Sequence, residues 1–398
     1  MKKAIEIKKN MYWVGALDYD IRVFDVVMYT DYGTTYNSYL VKGTEKTVLF
    51  ETVKDKFFNE FLDRLNEVSS VEELDYIVVN HTEPDHVGSI AMMLEMNPNI
   101  TVIGSVTAIK FLKEITNKSF KSIIAKENTT IDIGNKTIKF IMAPFLHWPD
   151  TMYSYIEEDN TLITCDSFGC HYCNEKLFND KIEGDFLDSY KYYFDVIMGP
   201  FKPYVLQALD KISDLNIDII CPGHGPILRK DIDKYLELYR TWATENITSI
   251  PSVVIPYVSA YGYTKKIAEK IAEGVKSNNG IDVLLFDLVE SDKEQVMTEI
   301  NQAKGLLIGS PTIVSDALPP IWDILTSLNP IIHKGKLAGA FGSYGWSGEA
   351  VANIEGRFKQ LRFKIPVEGL KIKFNPSDEQ LNEAFEFGQK FGNAVLEK

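Results

Sequence analysis

The sequence predicts an α/β protein with two domains, and three observations support this. At 398 residues the chain is long for a single hydrophobic core. Short β-rich runs alternate with helical patterns along its whole length. After Pro251 the order becomes strictly β-α-β-α-β, which indicates a parallel, doubly wound sheet. We therefore predict a domain boundary near residue 250, with domains over residues 1–250 and 251–398.

The composition is that of an ordinary globular protein, with 25% charged and 45% apolar residues. The net charge of −14 argues against a nucleic-acid partner, because phosphate backbones are held by clustered Lys and Arg. The N-terminus lacks a signal-peptide pattern, and no apolar run is long enough to cross a bilayer. We therefore expect a cytoplasmic protein with no membrane partner.

The elements of the first half are short strands that run into loops, joined by helices. Strands are predicted at 47–50, 76–79, 101–104, 137–142 and 161–164, and helices at 56–67 and 228–248. The loops after the last two strands carry a His or an Asp, and such loops on a rigid sheet commonly carry function.

The second half repeats strand and helix more regularly. Strands are predicted at 252–255, 281–286, 305–308 and 337–341, and helices at 264–276 and 377–396. In a doubly wound sheet the loops at the carboxyl ends of the strands converge on one crevice. A ligand site is therefore expected where these loops meet.

A metal site is indicated by the segment His81-Thr-Glu83-Pro-Asp85-His86, which directly follows the strand pattern YIVVN. A single histidine is usually a structural residue, but four potential ligands within six residues are difficult to explain in that way. Three later loops add further potential ligands, again after strands: His147, Asp166 and His224. Seven ligands suit two ions that each keep an open position, with Asp166 well placed to bridge them.

The four cysteines do not point to a second metal site. Cys170 and Cys173 form a lone CxxC motif, and a four-cysteine iron site would need another pair. Ordinary cytosolic thiols are the favoured interpretation.

A flavin site is indicated by three loops of the second half. The first combines hydroxyl groups and a glycine at the start of a helix, which suits a phosphate group. It contains neither a P-loop nor a GxGxxG pattern, so the monophosphate of FMN fits best. The other two loops follow later strands, and Tyr344 or Trp346 is suited to stack on a planar ring. The candidate FMN residues are Ser259, Tyr261, Gly262, Tyr263, Thr264, Ser310, Pro311, Thr312, Ile313, Ser343, Tyr344, Gly345 and Trp346.

The order of the metal motifs resembles the metallo-β-lactamase superfamily over residues 10–250, and residues 252–396 resemble flavodoxin. The superfamily motif is HxHxDH, and Glu83 replaces its second histidine here. A carboxylate favours harder ions, which shifts the expected metal from zinc to iron and the chemistry from hydrolysis to redox. The fusion of the two parts resembles the flavodiiron proteins, in their minimal class without further modules.

This resemblance implies an αββα sandwich followed by a flavodoxin-like doubly wound sheet, with a non-haem di-iron centre and FMN. One iron would take His81, Glu83 and His147, and the other Asp85, His86 and His224, with Asp166 bridging. His86 is not a ligand in every family member. His171 and Tyr192 match positions that line the site behind the ligands, and the neighbouring Tyr193 is an alternative to Tyr192.

The resemblance also implies reduction of dioxygen to water, of nitric oxide to nitrous oxide, or of both. The electron donor would be rubredoxin-like or a reduced deazaflavin coenzyme, and the assembly a head-to-tail homodimer or a dimer of dimers. Two alternatives stay open on the sequence: a zinc hydrolase with a fused flavodoxin module, and an electron carrier whose lactamase-like domain is inactive.

Overall fold

The computed structural model describes residues 3–25, 28–244 and 250–397. The chain divides into two compact units, Met1–Glu245 and Asn246–Lys398. Within the described residues, no helix is both long and apolar enough to span a bilayer.

The first unit is built around two larger β-sheets, and four of its strands form two further two-stranded sheets. Its strands are β1 (Ile5–Lys8), β2 (Met11–Trp13), β3 (Ala16–Asp18), β4 (Val23–Phe24), β5 (Met28–Tyr29), β6 (Thr34–Tyr36), β7 (Tyr39–Lys42), β8 (Thr47–Phe50), β9 (Tyr76–Val79), β10 (Thr101–Gly104), β11 (Lys121–Ile124), β12 (Thr130–Asp132), β13 (Thr137–Met142), β14 (Met152–Ile156), β15 (Thr161–Cys165) and β16 (Ile219–Pro222). One sheet has the order β1-β2-β7-β8-β9-β10-β11, and the other β12-β13-β14-β15-β16.

The helices of this unit connect the strands. They are α1 (Phe58–Val68), α2 (Pro84–Val87), α3 (Ile90–Met96), α4 (Val106–Thr116), α5 (Leu187–Tyr193), α6 (Lys202–Ile212) and α7 (Ile232–Thr244). Helix α4 contacts β10 and β11, and α6 packs on α7.

The main core of the first unit lies between the two sheets. Tyr39, Phe50 and Val78 of the larger sheet pack in one buried cluster with Phe140 and Ile163 of the smaller sheet. Burying a side chain of this size contributes about 1.5–3 kcal/mol, so this apolar contact is what holds the two sheets face to face. The sandwich predicted for this half is confirmed.

The strand directions bring the functional loops to one edge. In the larger sheet β8, β9 and β10 are parallel neighbours. In the smaller sheet β13 and β15 are each antiparallel to β14, and β16 is parallel to β15. Strands β13, β15 and β16 therefore run in the same direction, and their carboxyl ends lie at the same edge.

The second unit is a five-stranded parallel sheet. Its strands are β17 (Ser252–Tyr257), β18 (Asp282–Asp287), β19 (Gly305–Gly309), β20 (Leu337–Tyr344) and β21 (Leu370–Lys373). Its helices are α8 (Tyr263–Lys276), α9 (Lys293–Gln302), α10 (Pro319–Ser327), α11 (Pro330–His333), α12 (Glu349–Gln360) and α13 (Asp378–Leu396). The strand order is β18-β17-β19-β20-β21, with every neighbouring pair parallel.

Helices cover both faces of this sheet. Ile267 of α8 and Phe391 of α13 pack in one buried cluster, and Val296 of α9, Ile321 of α10 and Ile354 of α12 pack in another. The predicted doubly wound sheet is confirmed. The chain direction across the sheet reverses between β17 and β19, which is where such folds bind ligands.

One predicted helix begins later than expected. The helical pattern started at residue 228, but α7 begins at Ile232. Leu228 instead exchanges two backbone hydrogen bonds with Ile220, at 2.8 and 3.0 Å, and Asp231 has a φ of 56°. Pairing with β16 therefore overrides the local helical preference, and the predicted end at residue 248 lies outside the described residues.

Candidate metal centre

The seven predicted ligands all lie in segments that follow the carboxyl ends of strands, and two of them, Asp85 and His86, belong to the short helix α2. The HTEPDH segment follows β9, His147 follows β13, Asp166 follows β15 and His224 follows β16. Because these ends meet at one edge of the sandwich, residues that lie far apart in the sequence come together.

The structure gathers these residues into two adjoining groups. In the first group, one ligand atom from each of four residues lies within 4.8 Å of the others: His81, Glu83, His147 and Asp166. In the second group the same holds for Asp85, His86 and His224. Each group combines imidazole and carboxylate donors, a set that suits iron.

Asp166 links the two groups through its two carboxylate oxygens. Its Oδ2 lies 3.4 Å from Nε2 of His81 and 3.3 Å from Nε2 of His147. Its Oδ1 lies 3.0 Å from Nε2 of His86 and 3.6 Å from Nε2 of His224. One oxygen therefore faces each group, which is the arrangement of a bridging carboxylate.

The carboxylates of the centre are buried with little hydrogen bonding. Among the described residues, none forms a well-aligned hydrogen bond to Oδ1 or Oδ2 of Asp85 or to Oδ2 of Asp166. An isolated buried carboxylate is very costly, and such groups are normally paired or bind metal. The convergence of these oxygens with four imidazoles fits a pair of cations.

The electrostatics of the metal-free centre show how strongly it attracts positive charge. Burial opposes protonation of His86, but Asp85 and Asp166 outweigh it and raise the pKa of His86 to about 10. Burial likewise opposes protonation of His147, yet the nearby carboxylates of Asp166 and Glu83 raise its pKa to about 9. The pKa of Asp166 is held well below its usual value, because the imidazoles, with His86 first, outweigh the effect of burial.

We predict that metal affinity rises with pH below about 10, where His86 is protonated, and more steeply below about 9, where His147 is protonated as well. His86 and His147 must lose their protons before they can ligate, and their raised pKa values keep them protonated at neutral pH. Each proton displaced corresponds to about a tenfold gain in affinity per pH unit. Calorimetric titration of the metal-free protein in buffers of different ionisation enthalpy will measure the proton release, and an affinity independent of pH would contradict the prediction.

Asp150 is a functional candidate that the sequence analysis missed. Its Oδ2 lies 3.4 Å from Nδ1 of His81 and accepts hydrogen bonds from the backbone N–H and the hydroxyl of Thr82, at 2.8 and 2.7 Å. A carboxylate behind a ligating histidine fixes the ring and its tautomer. Asp150 belongs to the same LHWPD motif as His147, which is the signal that was available.

The loop that carries His224 is held by the N-terminal segment. Asn37 donates to the carbonyl oxygens of Pro222 and Gly225, at 2.8 and 3.0 Å, and accepts from Trp13 Nε1 at 2.8 Å. Nδ1 of His224 lies 2.6 Å from the carbonyl oxygen of Thr35. These contacts fix the position of the His224 ring.

We predict that Asn37→Ala destabilises the first unit by about 2–4 kcal/mol. The change leaves the Trp13 indole N–H buried without its acceptor, at a cost on the order of 1–3 kcal/mol. It also removes one hydrogen bond each from the carbonyl oxygens of Pro222 and Gly225, worth about 0.5–1.5 kcal/mol apiece, although these oxygens keep the hydroxyls of Tyr39 and Thr35 as donors. Calorimetry of the unfolding transition of the first unit will test this, with Asn99→Ala, a change at an exposed position, as the control. An unchanged transition would contradict it.

Close packing around His86 requires a glycine. A Cβ atom on Gly223 would lie 2.7 Å from Cε1 of His86 and 3.2 Å from the carbonyl carbon of Cys165. The thiol of Cys165 also lies within 4.8 Å of ligand atoms of His86 and Asp166. Gly223, which directly precedes His224, therefore leaves room for the ring of His86.

His171 and a tyrosine lie behind the ligands. Nδ1 of His171 lies 2.8 Å from the hydroxyl of Thr34, and its ring centroid is 4.3 Å from that of Phe24 and 5.0 Å from that of Tyr193. Burial and the nearby His224 hold the pKa of His171 well below its usual value. His171 is therefore a neutral imidazole in this centre.

The tyrosine that contacts the bridging carboxylate is Tyr193. Its hydroxyl donates to Oδ1 of Asp166 at 3.1 Å and is buried. The sequence analysis named Tyr192 and gave Tyr193 as the alternative. The structure places the hydroxyl of Tyr193, the alternative, at the carboxylate of Asp166.

The three predicted flavin loops are joined by hydrogen bonds in the second unit. The hydroxyl groups of Thr264 and Ser343 lie 2.9 Å apart, and the backbone N–H of Thr312 donates to the carbonyl oxygen of Ser343 at 2.9 Å. Ser259 accepts from the N–H of Lys265 in the first turn of α8, at 3.2 Å. The three loops therefore meet at the expected edge of the sheet.

The other residues of these loops differ in exposure. Gly262 precedes α8 with a φ of 80° and has open space beside it, which suits a closely approaching phosphate. Tyr261 and Trp346 are 80% and 97% exposed. Tyr344 is half-buried against Gly348. Exposed aromatic side chains in loops of this kind are available to cover a planar ring. The remaining candidates lie in the same loops: Tyr263, Ser310, Pro311, Ile313 and Gly345.

Comparisons with known proteins agree with both halves. Residues 34–225 match the model of the ODP family beta lactamase, and residues 255–388 match that of flavodoxin. The flavo-diiron protein FprA2 of Clostridium acetobutylicum is 42% identical over 98% of this chain and 100% of its own length. A nitric oxide reductase of Moorella thermoacetica is 35% identical over 100% of both chains.

A solved structure matches as well. That of the rubredoxin oxygen:oxidoreductase from Desulfovibrio gigas is similar with a TM-score of 0.70 and 30% identity, over 99% of each chain. The fold and its relatives define an oxidoreductase that joins a β-lactamase-type domain to a flavodoxin domain. The chain belongs to the flavodiiron protein family. Membership in this family implies an iron pair and FMN as cofactors.

Proposed function

We propose that this protein reduces dioxygen to water, nitric oxide to nitrous oxide, or both, with electrons that pass from a soluble donor through FMN to a di-iron centre. The observation that carries the proposal is the pair of donor groups joined by Asp166, one carboxylate oxygen facing each group. Relatives named nitric oxide reductase and rubredoxin oxygen:oxidoreductase support both substrates.

The ligand assignment follows the two groups. His81, Glu83 and His147 would hold one iron, and Asp85, His86 and His224 the other, with Asp166 between them. Two ferrous ions and a fully reduced FMN together supply the four electrons needed to convert one dioxygen and four protons into two waters. Two nitric oxide molecules need only two electrons and two protons to give nitrous oxide and one water.

The surrounding residues fix the positions of the imidazole rings and hold a proton near Asp166. Asp150 holds the ring of His81, and the carbonyl oxygen of Thr35 holds that of His224. The Tyr193 hydroxyl keeps a proton 3.1 Å from Oδ1 of Asp166, on the side of the second group. The ring of Phe24 lies 4.3 Å from that of His171 and 5.3 Å from that of His224, measured between centroids. Phe24 therefore limits the access of water from that side.

The decisive experiment is metal and flavin analysis, followed by anaerobic reduction and separate turnover with each gas. We expect two irons and one FMN per chain and turnover with at least one gas. Two zinc ions without flavin would support the hydrolase alternative instead. Electron transfer without turnover of either gas would support the electron-carrier alternative.

The proposal also covers the electron donor and the oligomeric state. We propose a rubredoxin-like donor or a reduced deazaflavin coenzyme, and a head-to-tail homodimer or a dimer of such dimers. In a head-to-tail dimer, the flavin of one subunit would serve the iron pair of the other. Sedimentation of the loaded protein tests this, and fully active monomers would overturn it.

We predict that Trp346→Ala weakens FMN binding about 5- to 15-fold, which corresponds to the roughly 1–1.5 kcal/mol expected of an aromatic stacking contact. Trp346 is almost fully exposed, so its loss should not change the unfolding of the second unit. Fluorescence titration of flavin-free protein with FMN will measure the affinity. Ile331→Ala, an exposed apolar change on α11, is the control and should leave the affinity unchanged.

A further inference from the structure

Glu51 occupies a position that normally favours glycine. It follows β8 directly, has a φ of 58° and is 1% exposed. A left-handed backbone conformation costs free energy for any residue with a Cβ, and such conformations cluster at functional sites. Burial of a carboxyl group adds a further cost. A buried glutamate in this conformation indicates that its side chain has a specific task.

Glu51 and Thr52 form hydrogen bonds with the backbone at both ends of the HTEPDH segment. Oε1 of Glu51 accepts a hydrogen bond from the backbone N–H of Asn80 at 2.7 Å, immediately before His81. Thr52 donates its backbone N–H and its hydroxyl to the carbonyl oxygen of His86, at 2.7 and 2.8 Å. The backbone of the ligand-bearing segment is therefore fixed from one side by this pair of residues.

Two atoms take part in none of these hydrogen bonds: the second carboxylate oxygen of Glu51, Oε2, and Nδ1 of His86. Both atoms are buried, and neither has a hydrogen-bond partner among the described residues. Burial raises the pKa of Glu51 to about 8, and of the charged groups around it His86 opposes this rise most strongly. Nε2 of His86 lies 3.0 Å from Asp166 and 3.5 Å from Asp85, so Nδ1 is the nitrogen that does not face the metal centre.

Two other imidazoles of the centre already show the corresponding contact. Nδ1 of His81 lies 3.4 Å from Asp150, and Nδ1 of His224 lies 2.6 Å from a carbonyl oxygen. A ligating histidine normally donates its second N–H to such an acceptor, which leaves the first nitrogen free to bind metal. Glu51 is the group suited to that role for His86.

We propose that Glu51 is a positioning residue whose Oε2 accepts the Nδ1–H of His86 through one water, and so commits His86 to the second metal. This inference rests on the proposed two-metal site. It explains why a glutamate is kept where the backbone favours glycine.

The substitution Glu51→Gln tests this directly, because it nearly preserves the shape of the side chain but replaces the acceptor oxygen Oε2 by an NH₂ donor. The Gln oxygen would keep the hydrogen bond from Asn80 N–H, so its NH₂ group would face Nδ1 of His86. A neutral imidazole that accepts at Nδ1 carries its proton on Nε2, and that nitrogen then cannot ligate a metal. The variant therefore disfavours the ligating tautomer without opening a cavity.

The experiment is a calorimetric titration of the full-length, FMN-loaded, metal-free protein with cobalt(II). The wild type is compared with E51Q, H86A and the double variant, and D150N serves as the matched control at His81. We expect E51Q to weaken the second cobalt about 10- to 100-fold and leave the first unchanged, and D150N to weaken the first. In the H86A background, E51Q should add less than about a twofold change, because its effect acts through His86.

Each other result has a distinct meaning. If H86A weakens the second cobalt but E51Q does not, the role of Glu51 is overturned and the ligand set stands. If E51Q costs the same with and without His86, Glu51 is only structural and the proposal is overturned. If H86A binds both cobalt ions normally, His86 is not a ligand, and both its assignment and this proposal fall while the other six ligands stand.

A measurement on the unmutated protein covers the case in which E51Q does not fold. Proton NMR of the cobalt-loaded wild type should show a cobalt-shifted, exchangeable N–H signal that disappears in H86A. Its slow exchange with solvent would support a buried acceptor at Nδ1, and its absence would overturn the proposal.

Discussion

Replacing Asp166 by alanine should abolish the paired metal site, with at least about a 100-fold loss of gas reduction, above the range found for residues behind the ligands. Asp166 faces both donor groups, with Oδ2 3.3 Å from His147 and Oδ1 3.0 Å from His86. Its loss removes one ligand from each ion and one of the three carboxylate charges that would offset the two cations. Iron content per chain and the turnover rate with each gas are the measurements.

Two control variants separate this effect from a general loss of structure. Asp166→Asn preserves size but not charge, and we expect it to lose most of the metal as well, because a neutral amide is a poor bridge between two cations. Asp210→Ala removes an exposed carboxylate of the same unit that pairs with Arg240, and it should leave iron content and turnover unchanged. Two tightly bound irons and normal turnover in Asp166→Ala would contradict the assignment of Asp166 as the bridge.

The clustering of the candidate ligands could be predicted from the sequence, because their signal is local. His81, Glu83, Asp85 and His86 stand within six residues, directly after a strand pattern that the structure confirms as β9. The family resemblance and the fold class derived from these motifs are confirmed as well. Local patterns of this kind survive folding because the strand sets the direction of the loop that follows it.

The residues that hold the ligands in place were not predictable in this way. Asn37 fixes the carbonyl oxygen of Pro222, 185 residues later in the chain, and Glu51 fixes the N–H of Asn80, 29 residues later. The first contact depends on the packing of one sheet against the other, and the second on the pairing of β8 with β9 in one sheet. Neither leaves a pattern along the chain. Tyr193 and Tyr192 were indistinguishable for a related reason. Neighbouring positions on a helix point about 100° apart, and a π-helical turn over Phe194–Met198 directly follows α5.

The identity of the residue at position 83 should decide which metal the first site takes. Glu83→His restores the HxHxDH pattern of zinc hydrolases, and it exchanges a carboxylate that lies 3.0 Å from His147 and 3.3 Å from His81 for a third imidazole. The change raises the charge of the site by one and softens its donor set, which favours zinc over ferrous iron. From cells supplied with both metals, we expect a shift from iron to zinc and loss of at least about 99% of gas reduction, because zinc has no redox chemistry.

The matched variant is Glu83→Asp, which keeps the carboxylate but shortens its reach by one methylene. It should retain iron, and it should lose less activity than Glu83→His, because the donor type is unchanged while the distances to His81 and His147 are not. FMN content should be equal in both variants, since the flavin loops lie in the other unit. An iron-loaded and active Glu83→His would show that the carboxylate does not set the metal preference, and the choice of iron would then depend on Asp85 and Asp166 alone.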